Sequence, residues 1–328
     1  MRAWVIDGYN GIESLRMTDL PDPAPGPGEV VLCLDYAALN PADYYLAQGQ
    51  YPAKPTFPHV LGRDGVGTVI GVGPGVAGVS VGDVRGVMRG DAGVNRNGTF
   101  AERVALPAVN LVPVPTGWTR QQTAAAPLVY VTAHQALTMW GEPRAGAVVL
   151  VTGASGGVGV ACVQLARAMG HTVVALSRDP AKRDRLRTLG AAHTYDPTDA
   201  DWRHALRADL GERRVDLAVD NVGGEPFNHL LDTLGMHGRV SCVGRLAGPV
   251  PGFNTASLFF RRLRIGGVAI GTNTPAESQS AWADVLRLLR VAGAMPLIDG
   301  EHGFDRLPEA FARLRAGPMG KVVLRIGG

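Results

Sequence analysis

The sequence is poor in the residues that usually build metal sites and disulfide frameworks. Only three of its 328 residues are cysteines, Cys33, Cys162 and Cys242, and they lie far apart. An odd number of widely spaced cysteines builds neither a disulfide framework nor a four-cysteine zinc lobe. The eight histidines show no H-E-x-x-H or His-x-His spacing, which disfavours a histidine-built metal site. We therefore expect no bound metal.

Long apolar runs and long basic runs are also missing. No stretch reaches the ~18 consecutive apolar residues of a membrane span, and residues 1–10 lack the regions of a signal peptide. The net charge is only +3, so nucleic acid is not an expected partner. With 46% hydrophobic and 19% charged residues, the composition is globular rather than disordered. We expect a cytoplasmic protein that binds neither a membrane nor nucleic acid.

The pattern of the chain changes near residue 123. Before it, short β-branched runs alternate with loops rich in proline and glycine, such as 19–28, as in an irregular β-rich domain. After it, apolar strands alternate with helices, as in a doubly wound parallel sheet. The last predicted strand, 321–326, is again of the first kind. We predict an α/β protein with a β-rich domain at 1–122, completed by 268–328, and a nucleotide-binding domain at 123–267.

A glycine-rich segment, VTGASGGVG at 151–159, lies where a predicted strand ends and a helix begins. Gly156 and Gly159 allow a tight turn and close packing of helix on strand, while free amides at the helix N-terminus attract a pyrophosphate. A purely structural glycine turn is the alternative, but the flanking strands and helix fall where a dinucleotide site requires them. The predicted phosphate-binding residues are Ser155, Gly156, Gly157 and Val158.

The end of the next strand indicates which dinucleotide is bound. An NAD site usually has an acidic residue there for the ribose hydroxyl, whereas this sequence has Ser177 and Arg178, followed by Lys182. A hydroxyl and two cations suit a 2′-phosphate, since charge-assisted hydrogen bonds are the stronger ones. Arg183 and Arg185 are read instead as a solvated helix face. NADPH is the predicted cofactor.

Several further motifs occur in order along nearly the whole chain. They are NPADYYLAQGQYP at 40–52, LGRDGVGTVIGVG at 61–73, TAAAPLVYVTAHQAL at 123–137, GASGGVG at 153–159, VDNVGG at 219–224, GRVSCVG at 238–244 and GKVVL at 320–324. Together they resemble the medium-chain dehydrogenase/reductase superfamily, and within it the zinc-independent quinone oxidoreductases of zeta-crystallin type. The resemblance implies a GroES-like catalytic domain, a Rossmann NADPH-binding domain and a homodimer paired through an edge strand, here expected at 264–270.

The same segments also resemble zinc-dependent alcohol dehydrogenases, but the metal ligands differ. Those enzymes have a Cys at the position of Asn40 and a His-Glu pair at the positions of Arg63 and Asp64. Arginine stays protonated and cannot ligate a metal. Asp64 alone does not make a catalytic zinc site, which needs three protein ligands. The resemblance therefore implies catalysis without zinc.

The resemblance also implies roles for particular residues. Asn40, Tyr45 and Tyr51 are the catalytic candidates, donating hydrogen bonds to a substrate oxygen that gains negative charge, with Tyr44 as an ambiguous neighbour. Lys321 reaches either the cofactor or only the surface. The residues implied near the cofactor are Asn40, Tyr45, Thr132, Asn221, Val243, Gly244, Arg245, Val268, Ala269, Ile270 and Lys321.

These features predict a zinc-independent, NADPH-dependent reductase that transfers hydride to a quinone or an α,β-unsaturated carbonyl. One alternative is an NADP-dependent alcohol dehydrogenase, which would lack the Lewis acid that activates an alkoxide. Another is an NADPH-binding protein with a structural or RNA-binding role, which the near-neutral charge disfavours. Ala47 stands where many quinone oxidoreductases have an arginine, so the sequence leaves the small-molecule substrate open.

Overall fold

The computed structural model describes residues 1–88, 90–141, 144–250 and 252–327. Its strands are β1 (Arg2–Ile6), β2 (Arg16–Asp19), β3 (Glu29–Ala38), β4 (His59–Val60), β5 (Asp64–Val72), β6 (Val84–Val87), β7 (Arg103–Pro107), β8 (Leu111–Pro113), β9 (Val148–Val151), β10 (Thr172–Leu176), β11 (His193–Tyr195), β12 (Val215–Asp220), β13 (Leu234–Cys242), β14 (Arg264–Gly267), β15 (Ile298–Gly303) and β16 (Lys321–Arg325). Its helices are α1 (Pro41–Ala47), α2 (Arg120–Ala125), α3 (Pro127–Thr138), α4 (Gly157–Ala168), α5 (Pro180–Leu189), α6 (Trp202–Leu210), α7 (Pro226–Thr233), α8 (Ala256–Arg261), α9 (Pro275–Ala292) and α10 (Leu307–Arg315). Within these residues, no helix combines the length and apolarity that crossing a membrane requires.

The described residues form two compact units. The first comprises 1–128, 274–278 and 296–328, and the second comprises 129–273 and 279–295. These bounds differ from those predicted at 122/123 and 267/268, most of all because the greater part of α9 belongs to the second unit. Trp282, Val285 and Leu289 on α9 are buried. The apolar face of this helix can be recognised in the sequence. The sequence does not show which of the two units that face packs against.

The first unit is organised around the long strand β3. Its sheet has the order β15-β16-β3-β5-β6-β8, with β7 pairing the first half of β3. At the far end of β3, Ala38 lies opposite Asp64 on β5 and opposite Val323 on β16. This register brings the chain segments that carry Asn40, Asp64 and Lys321 to one end of the sheet.

The second unit contains a parallel sheet with the order β11-β10-β9-β12-β13-β14. Strand β9 is buried along its whole length, as expected for a central strand covered on both faces. The chain runs outward from β9 to β11 and then returns to β12 on the other side. Ligands bind at such a switch point, beyond the carboxyl ends of the strands. The predicted Rossmann sheet is confirmed, with β14 at its edge.

Candidate functional site

The turn between β9 and α4 is shaped by its glycines. The Gly156 N–H donates to the Gly153 carbonyl at 3.0 Å. A Cβ atom at Gly159 would lie 2.4 Å from the Gly153 oxygen, whereas one at Gly156 would meet only that same oxygen at 3.5 Å. Gly159 is therefore required by the close approach of α4 to the turn. Gly156 is not required by the packing of the protein itself, and its missing side chain leaves open space beside the helix N-terminus.

That open space suits a pyrophosphate. Helix α4 begins at Gly157, and the first N–H groups of a helix have no acceptor within it. These amides, together with the positive end of the helix dipole, attract anions. Ser155 and Val158 flank the same turn. The structure thus brings Ser155, Gly156, Gly157 and Val158 together at one helix end, and their arrangement fits the phosphates of a dinucleotide.

Most of the other predicted cofactor residues follow strands of the same parallel sheet. Ser177 and Arg178 follow β10, Asn221 follows β12, Val243, Gly244 and Arg245 follow β13, and Val268, Ala269 and Ile270 follow β14. Because the carboxyl ends of parallel strands share one edge, these segments line the same edge as the glycine turn. Thr132 instead lies buried on α3.

A buried carboxylate that sequence reasoning missed ties two of these strand ends together. Asp220, at the end of β12, accepts hydrogen bonds from the Thr152 hydroxyl at 2.6 Å and from the Val222 and Gly223 amides. The Asn221 side chain donates to the Thr152 carbonyl at 2.8 Å. Asn221 is therefore held against the end of β9. The signal in the sequence was an acidic residue directly after the apolar run Leu217, Ala218 and Val219 at the end of the strand.

The segment after β10 is held by an arginine predicted to lie on a solvated helix face. Arg183 Nη1 donates to the carbonyls of Ser177, at 2.8 Å, and Arg178, at 3.0 Å, and also contacts Asp196 Oδ2 at 3.2 Å. This guanidinium therefore fixes the backbone of the loop. The Arg178 side chain is exposed, so its charge faces solvent where a 2′-phosphate is expected, and Lys182 lies one turn into α5.

A second group of predicted site residues lies in the first unit and is buried. Lys321 Nζ donates to the Leu39 carbonyl at 2.8 Å, to Asn40 Oδ1 at 2.7 Å and to Asp64 Oδ2 at 3.0 Å. Asn40 Nδ2 donates to the same Asp64 oxygen at 2.9 Å. Lys321 is only 5% exposed, so it does not lie on the surface. The predicted hydrogen bond from Asn40 to substrate stays a prediction, since here its amide binds Asp64.

A further carboxylate, Asp43, lies beside this network. Its Oδ2 accepts the Asn40 N–H at 2.8 Å, while its Oδ1 has no partner among the described residues. Burial raises the pKa of Asp43 to about 6, although the nearby cations Arg63 and Lys321 act in the opposite direction. Two acidic and two basic side chains are thus gathered around the start of α1, so their formal charges balance.

The tyrosines of the first unit differ in their surroundings. The Tyr44 hydroxyl donates to the Phe311 carbonyl at 2.6 Å, and burial raises the pKa of Tyr44 to about 12. Tyr44 is therefore a packing residue. Tyr51 is partly buried, and its hydroxyl accepts a hydrogen bond from Arg63 Nη1 at 3.0 Å. Tyr45, the third tyrosine, lies partly exposed on α1.

The side chains of Asn40, Arg63 and Asp64 do not suit the binding of a catalytic zinc. Arg63 is a cation and Asn40 offers an amide. Asp64 Oδ2 already accepts from Lys321 and Asn40, so this carboxylate is paired with a cation of the chain. Across the described ranges, His, Cys, Asp and Glu side chains nowhere gather in a group of three that would hold a metal. Positive charge is supplied here by the Lys321 ammonium.

Comparisons with known proteins agree with this architecture. The family model of the alcohol dehydrogenase GroES-like domain matches residues 26–116, and that of the zinc-binding dehydrogenases matches residues 157–291. A crystal structure described as an NAD-dependent alcohol dehydrogenase is 33% identical with a TM-score of 0.91, covering 100% of both chains. The chain belongs to the medium-chain dehydrogenase/reductase superfamily and, in that superfamily, to the zinc-independent branch.

Other relatives carry several different names. A mycobacterial protein complexed with NADPH is 28% identical with a TM-score of 0.89, covering 99% of this chain and 100% of its own. A quinone oxidoreductase of Pseudomonas syringae is 26% identical with a TM-score of 0.89, covering 99% of both chains. The acryloyl-coenzyme A reductase of Sulfurisphaera tokodaii is 28% identical, covering 99% of this chain and 100% of its own. The human synaptic vesicle membrane protein VAT-1 homolog is 33% identical over 76% of this chain, which matches only 63% of that relative's length. An oxidoreductase is the class that the superfamily establishes.

Proposed function

We propose that this oxidoreductase uses NADPH to reduce the conjugated double bond of a quinone or an α,β-unsaturated carbonyl. The observation that carries the proposal is the Lys321 ammonium bound to Asp64 and Asn40, at the place where related alcohol dehydrogenases use zinc. Without a Lewis acid, a simple alkoxide is poorly activated. A conjugated carbonyl already spreads the negative charge that hydride brings, so it needs orientation and hydrogen-bond donors rather than a metal.

The second unit supplies the cofactor site in this proposal. NADPH, when bound, provides the hydride at C4 of its nicotinamide. The turn at Ser155–Val158 holds the pyrophosphate, and Arg178 and Lys182, with the Ser177 hydroxyl, hold the 2′-phosphate. The relative solved with NADPH supports this choice of cofactor.

The first unit supplies the groups that act on the substrate. Tyr51 and Tyr45 carry phenolic hydrogens, and Asn40 is fixed at the start of α1, the helix that carries Tyr45. These groups orient the carbonyl and stabilise the oxygen as charge develops on it. The quinone oxidoreductase and the acryloyl-coenzyme A reductase among the relatives support a conjugated acceptor.

A substrate panel tests the proposal. NADPH oxidation is measured with benzoquinones, naphthoquinones, enals and simple ketones, beside NADP⁺ reduction with simple alcohols. We expect turnover with at least one conjugated acceptor, and kcat/KM at least tenfold lower with saturated ketones and alcohols. The name of one relative, an NAD-dependent alcohol dehydrogenase, favours the competing activity. Turnover confined to alcohols and ketones would establish that activity instead.

The expected partner is a second copy of the chain. Strand β14 is the edge of the parallel sheet, and an edge strand offers unpaired backbone groups to another strand. Beside it, Phe259 and Phe260 on α8 are 63% and 73% exposed. Apolar side chains next to an open edge fit a symmetric dimer. Sedimentation velocity at micromolar concentration should give a dimer, and Phe260→Arg should shift it toward monomer. A wild-type monomer would contradict this assignment.

A further inference from the structure

The side chain of Arg183 joins two neighbouring strand ends of the second unit. Its Nη1 donates to the carbonyls of Ser177, at 2.8 Å, and Arg178, at 3.0 Å, both in the loop after β10. The same nitrogen lies 3.2 Å from Asp196 Oδ2, directly after β11. The Arg183 side chain is only 20% exposed. It is therefore an inward-facing part of this loop.

The two carbonyl bonds decide which way the neighbouring N–H groups point. In a planar trans peptide, the C=O and the N–H point in opposite directions. Because the Ser177 carbonyl points at Arg183, the N–H of Arg178 points away from it. Because the Arg178 carbonyl also points at Arg183, the N–H of Asp179 points away as well. Two successive N–H groups are thus turned to the side opposite the guanidinium.

The first of these N–H groups faces the glycine turn that follows β9. The Leu176 carbonyl accepts from the Ala154 N–H of that turn at 3.1 Å. In the same peptide, the Ser177 N–H points the other way and donates to a carbonyl of β11 at 3.1 Å. The guanidinium lies on the β11 side too, so the Arg178 N–H, which points away from it, faces the glycine turn again.

Neither the Arg178 N–H nor the Asp179 N–H has an acceptor among the described residues. The next residue, Pro180, begins α5 and has no N–H to offer. The Asp179 carboxylate is turned toward its own helix, where Oδ1 accepts the Lys182 N–H at 3.2 Å. Successive backbone N–H groups form concavities that bind anions, and hydrogen bonds from backbone N–H to an anion are strong ones. The main chain of this loop is thus suited to an anion.

We propose that Arg183 is a positioning residue for the 2′-phosphate of NADPH. By holding the carbonyls of Ser177 and Arg178, it directs the N–H groups of Arg178 and Asp179 to that phosphate. The inference rests on the proposed function, because it requires NADPH as the cofactor. NADH has a hydroxyl in place of the phosphate, so the orientation of these two N–H groups contributes to the choice between the two dinucleotides.

Two nucleotides that differ only in this phosphate isolate the effect. Adenosine 2′,5′-bisphosphate carries it and adenosine 5′-phosphate lacks it, and calorimetric titration gives the Kd of each. Arg183→Met should weaken binding of the bisphosphate about tenfold or more, since misdirected N–H groups lose hydrogen bonds to a charged group, and should leave the Kd of adenosine 5′-phosphate within about twofold. An equal loss for both nucleotides would mean that Arg183 only supports the fold, and would overturn the inference.

The direction of the two N–H groups is tested by NMR. In wild type, the amide proton resonances of Arg178 and Asp179 should move downfield with the bisphosphate and not with adenosine 5′-phosphate, because only the former accepts their hydrogen bonds. In Arg183→Met the downfield movement should be lost. Resonances that stay in place when wild type binds the bisphosphate would overturn the inference, whatever the affinities.

Two further variants separate orientation from charge. Arg187 is exposed on the same helix and pairs with Asp184 in its own turn, so Arg187→Met should keep both Kd values and both amide movements of wild type. Arg183→Lys keeps the charge, and in it the bisphosphate affinity and the amide movements should be retained or lost together. Wild-type affinity for the bisphosphate without the amide movements would show attraction by charge alone and would overturn the positioning role.

The same titrations distinguish failure of this inference from failure of the proposed cofactor. Wild type that binds the bisphosphate no more tightly than adenosine 5′-phosphate would overturn NADPH as the cofactor, and the inference with it. A preference for the bisphosphate that Arg183→Met leaves intact would overturn the inference alone.

Discussion

The Lys321 ammonium lies 3.0 Å from Asp64 Oδ2, and both side chains are almost completely buried. Their residues are 257 positions apart in the sequence and come together because β16 and β5 both pair with β3. The pair also holds the Asn40 amide at both its oxygen and its nitrogen. A cation that belongs to the chain therefore fixes the start of α1, the helix that carries Tyr44 and Tyr45.

Removing the ammonium should strongly destabilise the fold. Lys321→Met leaves the Asp64 carboxylate buried without a counter-charge, and breaking a buried pair in this way costs about 3–5 kcal/mol. The free energy of unfolding from urea titration at pH 7 measures the loss. Adding Asp64→Asn to Lys321→Met should recover part of it, since no charge is then left unpaired. A double variant less stable than Lys321→Met would contradict this account.

The raised pKa of Asp43 predicts a pH-dependent stability. Burial raises this pKa to about 6, from roughly 3.9 in an unfolded chain. A raised pKa means that the folded state binds the proton more tightly, so the group favours folding below about pH 4, and that contribution is lost as pH rises through about 6.

Asp43→Asn should remove this dependence, because the amide does not titrate and its carbonyl still accepts the Asn40 N–H. Relative to wild type, the variant should gain on the order of 1–3 kcal/mol between pH 4 and pH 8. Urea unfolding at several pH values measures the difference. A difference that stays constant across this range would show that Asp43 does not titrate there.

Local features were predicted well from the sequence, and distant contacts were not. The glycine turn at 151–159 lies between strand and helix, and Ser177 and Arg178 follow β10, as predicted, because strand, turn and helix follow one another in the chain. The part of these residues in cofactor binding stays a prediction. The partners of Lys321 could not be found, because the register of β3, β5 and β16 that brings them together is set by the whole sheet. Arg183 shows the same limit, because its carbonyl acceptors depend on how the loop after β10 turns back over α5.

The positive charge of Arg178, in the loop after β10, should decide which dinucleotide binds. Arg178→Gln removes an exposed cation beside the predicted 2′-phosphate, and a hydrogen bond to a charged group contributes about 1.5–3 kcal/mol. We expect NADPH affinity to fall tenfold or more while NADH affinity is unchanged, as measured by calorimetric titration. Arg185→Gln is the matched control, since Arg185 is exposed on α5, the helix that follows this loop, and among the described residues its side chain bonds only Thr188 in its own turn. An equal loss in the two variants would place the phosphate elsewhere.

The two glycines of the phosphate turn should respond differently to alanine. At Gly159 the added methyl group overlaps backbone atoms of Gly153 and Ala154, which cannot move aside as a flexible side chain would. Gly159→Ala should therefore lower the free energy of unfolding by about 3 kcal/mol, the upper part of the range for overpacking.

Gly156 has φ −73° and ψ 174°, which alanine adopts without strain. A Cβ atom added there would meet only the Gly153 oxygen, at 3.5 Å. Gly156→Ala should keep or slightly raise stability without cofactor and yet weaken NADPH binding at least tenfold, because the methyl group fills the space left for the pyrophosphate. Unfolding in urea without cofactor and calorimetric titration with NADPH separate these effects, and undiminished NADPH affinity in Gly156→Ala would move the pyrophosphate away from this turn.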